Sequence, residues 1–555
     1  MDDHKWWQKT VVYQIYTRSF KDSSGNGIGD FQGIIEKLDY VQDLGVETIW
    51  FSPFFKSPQA DFGYDVSNYR EIEPEYGNMN DFDKLLREIH KRDMKAVLDL
   101  VLNHTSIEHN WFKESASSKD NAKRNWYIWR DGKKPGGKKP PNNWKSIPGG
   151  KAWKYDETTD QWYYFHFLPF QPDLNYHNQE VKEEMLDTMK FWLNKGVDGF
   201  RLDIIQTIFE DIKLRNNPFT WSLFLSDKKA TSNFQHHLYD ANLPEAFEFV
   251  QDLRKLMDEY HPERFLVGEA FGSMEEISKY YGPKNNGLHM NFLFEFTSKT
   301  LSFKPNKIRK IVSKIERILP PPFVPSYTYG NHDRNRFISI IKENIQKAKL
   351  LATLLLTLRG VPFIYYGEEI GMLNVKFNLK TSKDPIGQKF AKFPFNLISK
   401  LISFPLTRDG CRTPMQWDDS ASAGFSSNPN VEPWLRIPDN YKKINVSRSE
   451  KDPNSLLNYY KKLIKIRRRI TALQIGGFEF INTGDFKNQI LTYRRIHEEE
   501  IYIFLNFSNK ELLLKTPQPN PKLIFSTVFN RRDIKTEING EQIIRLYPLE
   551  GIIFK

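Results

Sequence analysis

Eight short apolar runs recur along the chain up to residue 366, and between them the apolar residues fall at helical spacing. The runs lie at Val11 to Tyr16, 46–52, 95–102, 197–205, 265–270, 288–296, 325–330 and 361–366. After the first, Ile34, Ile35, Leu38, Val41 and Leu44 recur on one helical face, which predicts a helix from Phe31 to Leu44. Val181, Met185, Met189 and Trp192 repeat that pattern before the fourth run, as does the stretch Lys342 to Leu358 before the eighth. Strand-to-helix alternation is what a parallel sheet requires, because parallel neighbours need long crossovers. Eight such units predict an α/β fold, a closed (β/α)8 TIM barrel.

Two stretches break the rhythm. Residues 106–175, after the third strand, are rich in Trp, Lys, Gly and Pro, with Pro135-Gly136-Gly137 and Gly149-Gly150, and read as an inserted small domain. A second irregular excursion, at about 374–450, follows the eighth strand. Both lie on the strand-to-helix side, where barrels build binding surfaces. Beyond a helical stretch at Leu456 to Ile470 the pattern changes to short alternating runs, such as Ile490 to Tyr493, Ile501 to Phe507 and Gln542 to Tyr547. These predict a C-terminal antiparallel β-sandwich domain. The expected plan is a catalytic barrel at 1–105 and 176–474, an insert at 106–175 and a β domain at 475–555.

Composition narrows the function. The net charge of +11 raises the question of nucleic acid, but the densest cluster, Lys133, Lys134, Lys138 and Lys139, sits in a Gly/Pro-rich loop with no nucleic-acid motif beside it. A solvated loop accounts for it, so no nucleic-acid partner is expected. The aromatic share of 14% suits packing and also ligands with flat faces, such as sugars. A single cysteine, Cys411, excludes an intramolecular disulfide and fits a reducing compartment. The N-terminus is acidic at Asp2 and Asp3 and lacks the apolar core of a signal peptide, and no stretch reaches the roughly 18 apolar residues of a membrane span. The expectation is a cytoplasmic protein with no membrane partner, a monomer or weak homo-oligomer.

Chemistry in a barrel sits at the C-terminal strand ends. There the third strand carries Asp99 with Asn103 and His104, the fourth Arg201 and Asp203, the fifth Glu269, and the seventh His332 and Asp333. In the fourth run, Val197 to Ile205, strand alternation predicts Arg201 and Asp203 on one face and Phe200, Leu202 and Ile204 on the other. Alone, that run fits a buried ion pair and a catalytic carboxylate equally well. Carboxylates converging from four strand ends point to catalysis instead. With no cysteine or serine triad motif, acetal cleavage by a carboxylate pair is the natural reaction. Arg201 is expected to lower the pKa of Asp203 and keep it ionised as nucleophile, while like-charged neighbours raise that of Glu269, the acid/base.

A second constellation is Asp22-Ser23-Ser24-Gly25-Asn26-Gly27-Ile28-Gly29-Asp30, where oxygen side chains recur at alternate positions as in a calcium loop. A plain Asx/Gly turn is the alternative, since only two carboxylates are present and no Glu closes an EF-hand.

These residues together resemble glycoside hydrolase family 13, the α-amylase family, and within it the α-glucosidase and oligo-1,6-glucosidase branch. The motifs that carry the resemblance are Tyr13-Gln14-Ile15-Tyr16, Asp99 to His104, Gln171 to Asn175, Gly199 to Asp203, Gly268-Glu269 and Asn331-His332-Asp333. The resemblance implies Asp203 as nucleophile, Glu269 as acid/base and Asp333 as the third carboxylate, which distorts the bound sugar. It implies sugar contacts from His104, Arg201 and His332, and closure of the non-reducing end by Tyr64, Asp65 and Arg412. It also implies an exo-acting enzyme without an organic cofactor, and a structural calcium or magnesium on Asp22, Ser24, Asn26, the Ile28 carbonyl and Asp30. Ser24 and Asn26 depart from the family's usual Asn and Asp. The residue after the nucleophile, Ile204, is bulky and leans to α-1,6 linkages, whereas Arg408-Asp409-Gly410-Cys411-Arg412-Thr413 looks more like α-1,4 enzymes. Other family functions stay open: sucrose- or trehalose-active and transglycosylating enzymes, and, from another class, the non-catalytic heavy chains of amino-acid transporters.

Overall fold

The computed structural model describes residues 4–555 except 134–136, 224, 227–228, 392–405, 483 and 539–540. Met1 to Asp3, Lys134, Pro135 and Gly136, and part of the 374–450 excursion, therefore lie outside the described residues.

Eight parallel strands form the barrel: β1 Val12–Ile15, β2 Thr48–Phe51, β3 Lys95–Leu100, β4 Gly199–Leu202, β5 Phe265–Gly268, β6 Met290–Asn291, β7 Ser326–Thr328 and β8 Val361–Tyr365. They pair in chain order from β1 to β6, and β8 bridges β1 to β7. The seam between β6 and β7 is narrowed by a parallel bridge of Phe292 with Ser326, and by the Ser326 hydroxyl donating to the Asn291 carbonyl at 2.8 Å. Inside, Val12, Trp50, Val97, Phe265, Met290, Val361 and Phe363 pack into one apolar plug. Above that plug the inward positions turn polar. Register makes Asp99 the partner of Arg201 across β3 and β4.

Each strand is shorter than its apolar run. The sixth shows why: only Met290–Asn291 extend, and from Phe294 the chain coils into a helix to Thr300. The helix expected from Phe31 to Leu44 is two, Phe31–Glu36 and Leu38–Leu44, broken at Lys37, whose φ and ψ are −110° and 5°. The fourth strand ends at Leu202, and Ile204 is left-handed, with φ 38° and ψ 43°. Alternation therefore fails there. Phe200 and Leu202 pack outward against the helices, but Ile204 joins the inner cluster. A β-branched residue in this region is strained, and such strain collects at functional sites.

The insert contains a three-stranded antiparallel sheet, Trp129–Arg130, Gln161–Tyr164 and Trp153–Asp156, around its own small aromatic core of Trp144, Trp153, Trp162 and Tyr164. At the C-terminus two antiparallel sheets face each other as a sandwich. One comprises Gly477–Phe480, Ile490–Ile496, Glu500–Asn506, Gly551–Phe554 and Leu523–Ser526, the other Leu512–Lys515, Glu541–Leu546 and Lys535–Ile538. Ile490, Phe504 and Ile552 of the first pack on Leu514, Ile544 and Leu546 of the second.

Candidate active site

The C-terminal strand ends converge on Arg201, which is fully buried. Its Nη1 donates to Asp99 Oδ1 and to Asp203 Oδ1, each at 2.7 Å, and its Nη2 donates to Glu269 Oε2. Asp203 and Glu269 thus sit on the two arms of one guanidinium. Retaining glycosidases need two carboxyl groups about 5–5.5 Å apart, inverting ones a wider gap that admits a water.

The sharing changes the expected electrostatics. One positive charge serves three carboxylates, so Arg201 cannot hold Asp203 in its ionised form by itself. Burial raises Asp203 to about 7, with Arg201 pulling the other way and Asp99 and Asp333 adding to the rise. Asp99 rises to about 6 for the same leading reason. Asp333 goes the opposite way. Burial alone would raise it, but His332 at 3.1 Å, with Arg408 and Arg412, outweighs burial and holds it well below the ordinary range.

Burial lowers both His104 and His332 to about 4. His332 is fixed on both sides, by Gln14 Nε2 at 2.8 Å from Nδ1 and by the Tyr64 hydroxyl at 2.5 Å from Nε2. Tyr64 also donates to Asp99 Oδ2 at 3.0 Å and stacks on His332 with an interplanar angle of 8°. His104 lies against the Tyr64 carbonyl at 3.1 Å. Tyr64, His104, Asp203, Glu269 and Asp333 all line one cleft.

Asp65 is placed elsewhere. It is fully buried beneath the loop and accepts from Ser57 Oγ and from the Ala60 and Asp61 amides, each at 2.9 Å. The cleft carboxylate of this loop is Asp61, four residues earlier, and Arg408 Nη2 meets its Oδ1 at 2.5 Å. The loop's path decides this. Gln59, Phe62 and Gly63 all take positive φ, and a Cβ on Gly63 would lie 2.7 Å from the Pro53 carbonyl. Arg412 is buried behind the cleft. It reaches Asp333 Oδ1 at 2.8 Å and the His332 carbonyl at 2.8 Å, so it supports the third carboxylate from below. Arg408 was the arginine missed, although it stands in the same short run; it also binds Asp384 Oδ1 at 2.8 Å.

Sequence patterning also missed the long β4 loop, which has no periodicity to find. There Ser232 Oγ lies 2.8 Å from His237 Nε2, and His237 Nδ1 lies 3.1 Å from Asp240. The order resembles a hydrolytic triad, but Ser232 is fully buried, which leaves no room for a substrate. The row ties the loop together, with Asn217 Nδ2 donating to Asp240 at 2.8 Å.

The Asp22 to Asp30 loop does not fit a cation as arranged. Asp22 accepts from the Gly25 and Gly27 amides at 2.7 and 2.8 Å and from Ser426 Oγ at 2.6 Å. Asp30 accepts from the Ser23, Ser24 and Gly33 amides, the last as the cap of a helix. Asn26 Oδ1 accepts from the Ile28 amide, and the Ser24 hydroxyl is spent on Asp22. Donors already satisfy the two carboxylates, and among the described residues no group of three or more His, Cys, Asp or Glu converges as a metal site. These contacts build the turn.

The barrel, the insert after its third strand and the paired acids at its mouth define a carbohydrate-cleaving enzyme. The model of the alpha amylase catalytic domain matches residues 14–476, and the chain belongs to that family; it is a glycoside hydrolase. It is 40% identical to a probable alpha-glucosidase of Rhizobium meliloti (strain 1021), over 93% of each chain. An oligo-1,6-glucosidase of Parageobacillus thermoglucosidasius is 39% identical over 99% of each chain. Among solved structures, the alpha-glucosyl transfer enzyme XgtA superposes with a TM-score of 0.88 at 36% identity, covering 100% of this chain and 99% of the other. Among the described residues no helix is long and apolar enough to cross a membrane.

Proposed function

We propose that the protein is a retaining, exo-acting α-glucosidase that removes terminal α-linked glucose from short oligosaccharides. The observation that carries this is the Arg201 fork, which holds Asp203 and Glu269 side by side at the cleft floor. Glu269 gives a proton to the glycosidic oxygen as Asp203 attacks the anomeric carbon, and the aglycone leaves. Glu269 then takes a proton from water, which attacks the same carbon and frees Asp203. Asp333, held ionised by two arginines and His332, faces the charge that develops on the sugar ring. In this reading the Asp61–Arg408 pair, which lines the cleft beside Asp333, receives the non-reducing end, so that one terminal unit is released at a time.

Relatives named alpha-glucosidase and oligo-1,6-glucosidase support cleavage of α-linked glucose, with the 1,6 linkage explicit in the second name. Ile204 lines the cleft beside the nucleophile, and its bulk favours the more flexible α-1,6 bond. A second reading, transfer of glucose to another sugar, is favoured by one observation: Ile147, Phe167, Leu225, Phe271 and Ile386 make the acceptor side apolar, which disfavours water. A cytoplasmic site of action belongs to the same proposal. Parallel product analysis on maltose, isomaltose, sucrose and trehalose tests it. Glucose released from maltose or isomaltose as the α-anomer supports the proposal, and β-glucose as the first product refutes retention.

A further inference from the structure

The β4 loop, which gives the cleft Leu223, Leu225 and Asn233, also carries a group of exposed rings. Pro218 to Leu223 runs antiparallel to Asn233 to His236, with the Thr220 amide on the Phe234 carbonyl at 3.0 Å and the His236 amide on the Pro218 carbonyl at 2.9 Å. Alternate residues of an extended segment share a face. Phe219, Trp221 and Leu223 stand at such alternate positions; Leu223 lines the cleft, as does Leu225, while Phe219 and Trp221 are 64% and 88% exposed.

The rings are grouped rather than scattered. Phe219 meets Trp221 edge-on at 5.0 Å and lies parallel to Phe234 at 6.2 Å, tilted by only 6°. Contiguous exposed rings of this kind mark binding surfaces, whereas single ones are ordinary. The platform is also built to hold its place. Asn233, itself part of the cleft wall, donates through Nδ2 to the Ser146 and Ile147 carbonyls at 2.9 and 2.7 Å, pinning the ribbon to the insert.

We propose that Phe219 and Trp221 form an outer subsite that stacks on the reducing-side glucose units of longer α-glucosyl oligosaccharides. This rests on the α-glucosidase reading. Asp61 and Arg408 line the cleft beside Asp333, and Leu223 and Leu225 line it from the β4 loop, so in this proposal the terminal glucose sits at the ion pair and a longer chain runs past the leucines toward the rings. The C–H face of a glucose ring is apolar and flat, and an exposed indole accepts it without needing a fixed hydrogen-bond partner.

The test compares wild type with Trp221→Ala and Phe219→Ala on an aryl α-glucoside and on α-linked glucose oligomers of increasing length. Both side chains are at the surface, so the variants keep the fold. The expected result is an unchanged kcat/KM on the aryl glucoside and the disaccharide. On the longest oligomers it falls about fivefold, through KM. A loss equal at every length, or none at any length, overturns the subsite. So does a change in sedimentation without a length effect, which assigns the rings to contact between two copies. Oligomer binding to the Asp203→Asn protein, followed by calorimetry, separates this from the activity reading. Failure of wild type to cleave any α-glucoside sinks the α-glucosidase reading, and length-dependent binding lost in Trp221→Ala then leaves the subsite standing.

Discussion

Arg408 and Asp61, which are 347 residues apart in sequence, meet at 2.5 Å in the wall of the cleft. One comes from the loop after β2 and the other from the segment after β8. Removing Arg408 leaves the buried Asp61 without its ion-pair partner, which typically costs about 3–5 kcal/mol, whereas removing Asp61 leaves Arg408 on Asp384 and Asp333. Asp61→Ala and Arg408→Ala should each lower kcat/KM on an aryl α-glucoside by about a hundredfold or more. Because Arg408 also holds Asp333 and Asp384, its variant should be the worse of the two in both kcat and thermal stability. Steady-state kinetics and a melting curve decide this.

The pH dependence follows from Asp203, which burial raises to about 7. It must be ionised to attack, so kcat/KM should fall as pH drops through that region, by tenfold per unit below it. Asp99 and Asp203 share the Arg201 Nη1, so the limb belongs to the pair. Asp99 pushes Asp203 upward, so Asp99→Asn should move the limb to lower pH, whatever it does to the maximum rate. A limb near the ordinary carboxylate value in wild type would contradict the assignment.

Stability should show the same group with the opposite benefit. A carboxyl whose folded pKa lies above its unfolded one binds more protons in the folded state, so stability falls as pH rises between about 4 and 7. Asp203→Asn removes that burden. It should therefore melt higher than wild type at pH 8, by on the order of 1–3 kcal/mol, and match it near pH 4. The same variant should lose activity by several orders of magnitude.

The Asp22 to Asp30 loop offers a clean separation of turn from metal site. With both carboxylates satisfied by backbone amides and hydroxyls, treatment with a chelator should leave melting temperature and activity unchanged. Asp22→Ala should still destabilise by about 1–3 kcal/mol, because the Gly25 and Gly27 amides and Ser426 lose their acceptor. A melting temperature that falls with chelator and returns with calcium would restore the metal.

What could be read from the sequence, and what could not, divides along a physical line. The barrel strands were legible because inward positions such as Val97 and Val267 must be apolar, and the acids because strand ends place them at one face. The choice of Asp61 over Asp65 was not legible. Both stand in one short loop, and three residues of positive φ, Gln59, Phe62 and Gly63, decide which one faces the cleft. Ile204 was misplaced for a related reason: a single left-handed residue reverses the face that alternation assigns. The charge on Asp203 could not be foreseen either, since no spacing reveals that Arg201 is shared three ways.

Trapping the intermediate tests the central claim most directly. A fluorinated α-glucosyl donor that slows the second step should leave one hexosyl unit on the peptide containing Asp203, located by mass spectrometry, and the label should be absent from Asp203→Asn. A label on Glu269 or Asp333, or no covalent species at all with an inverted product, would contradict the account.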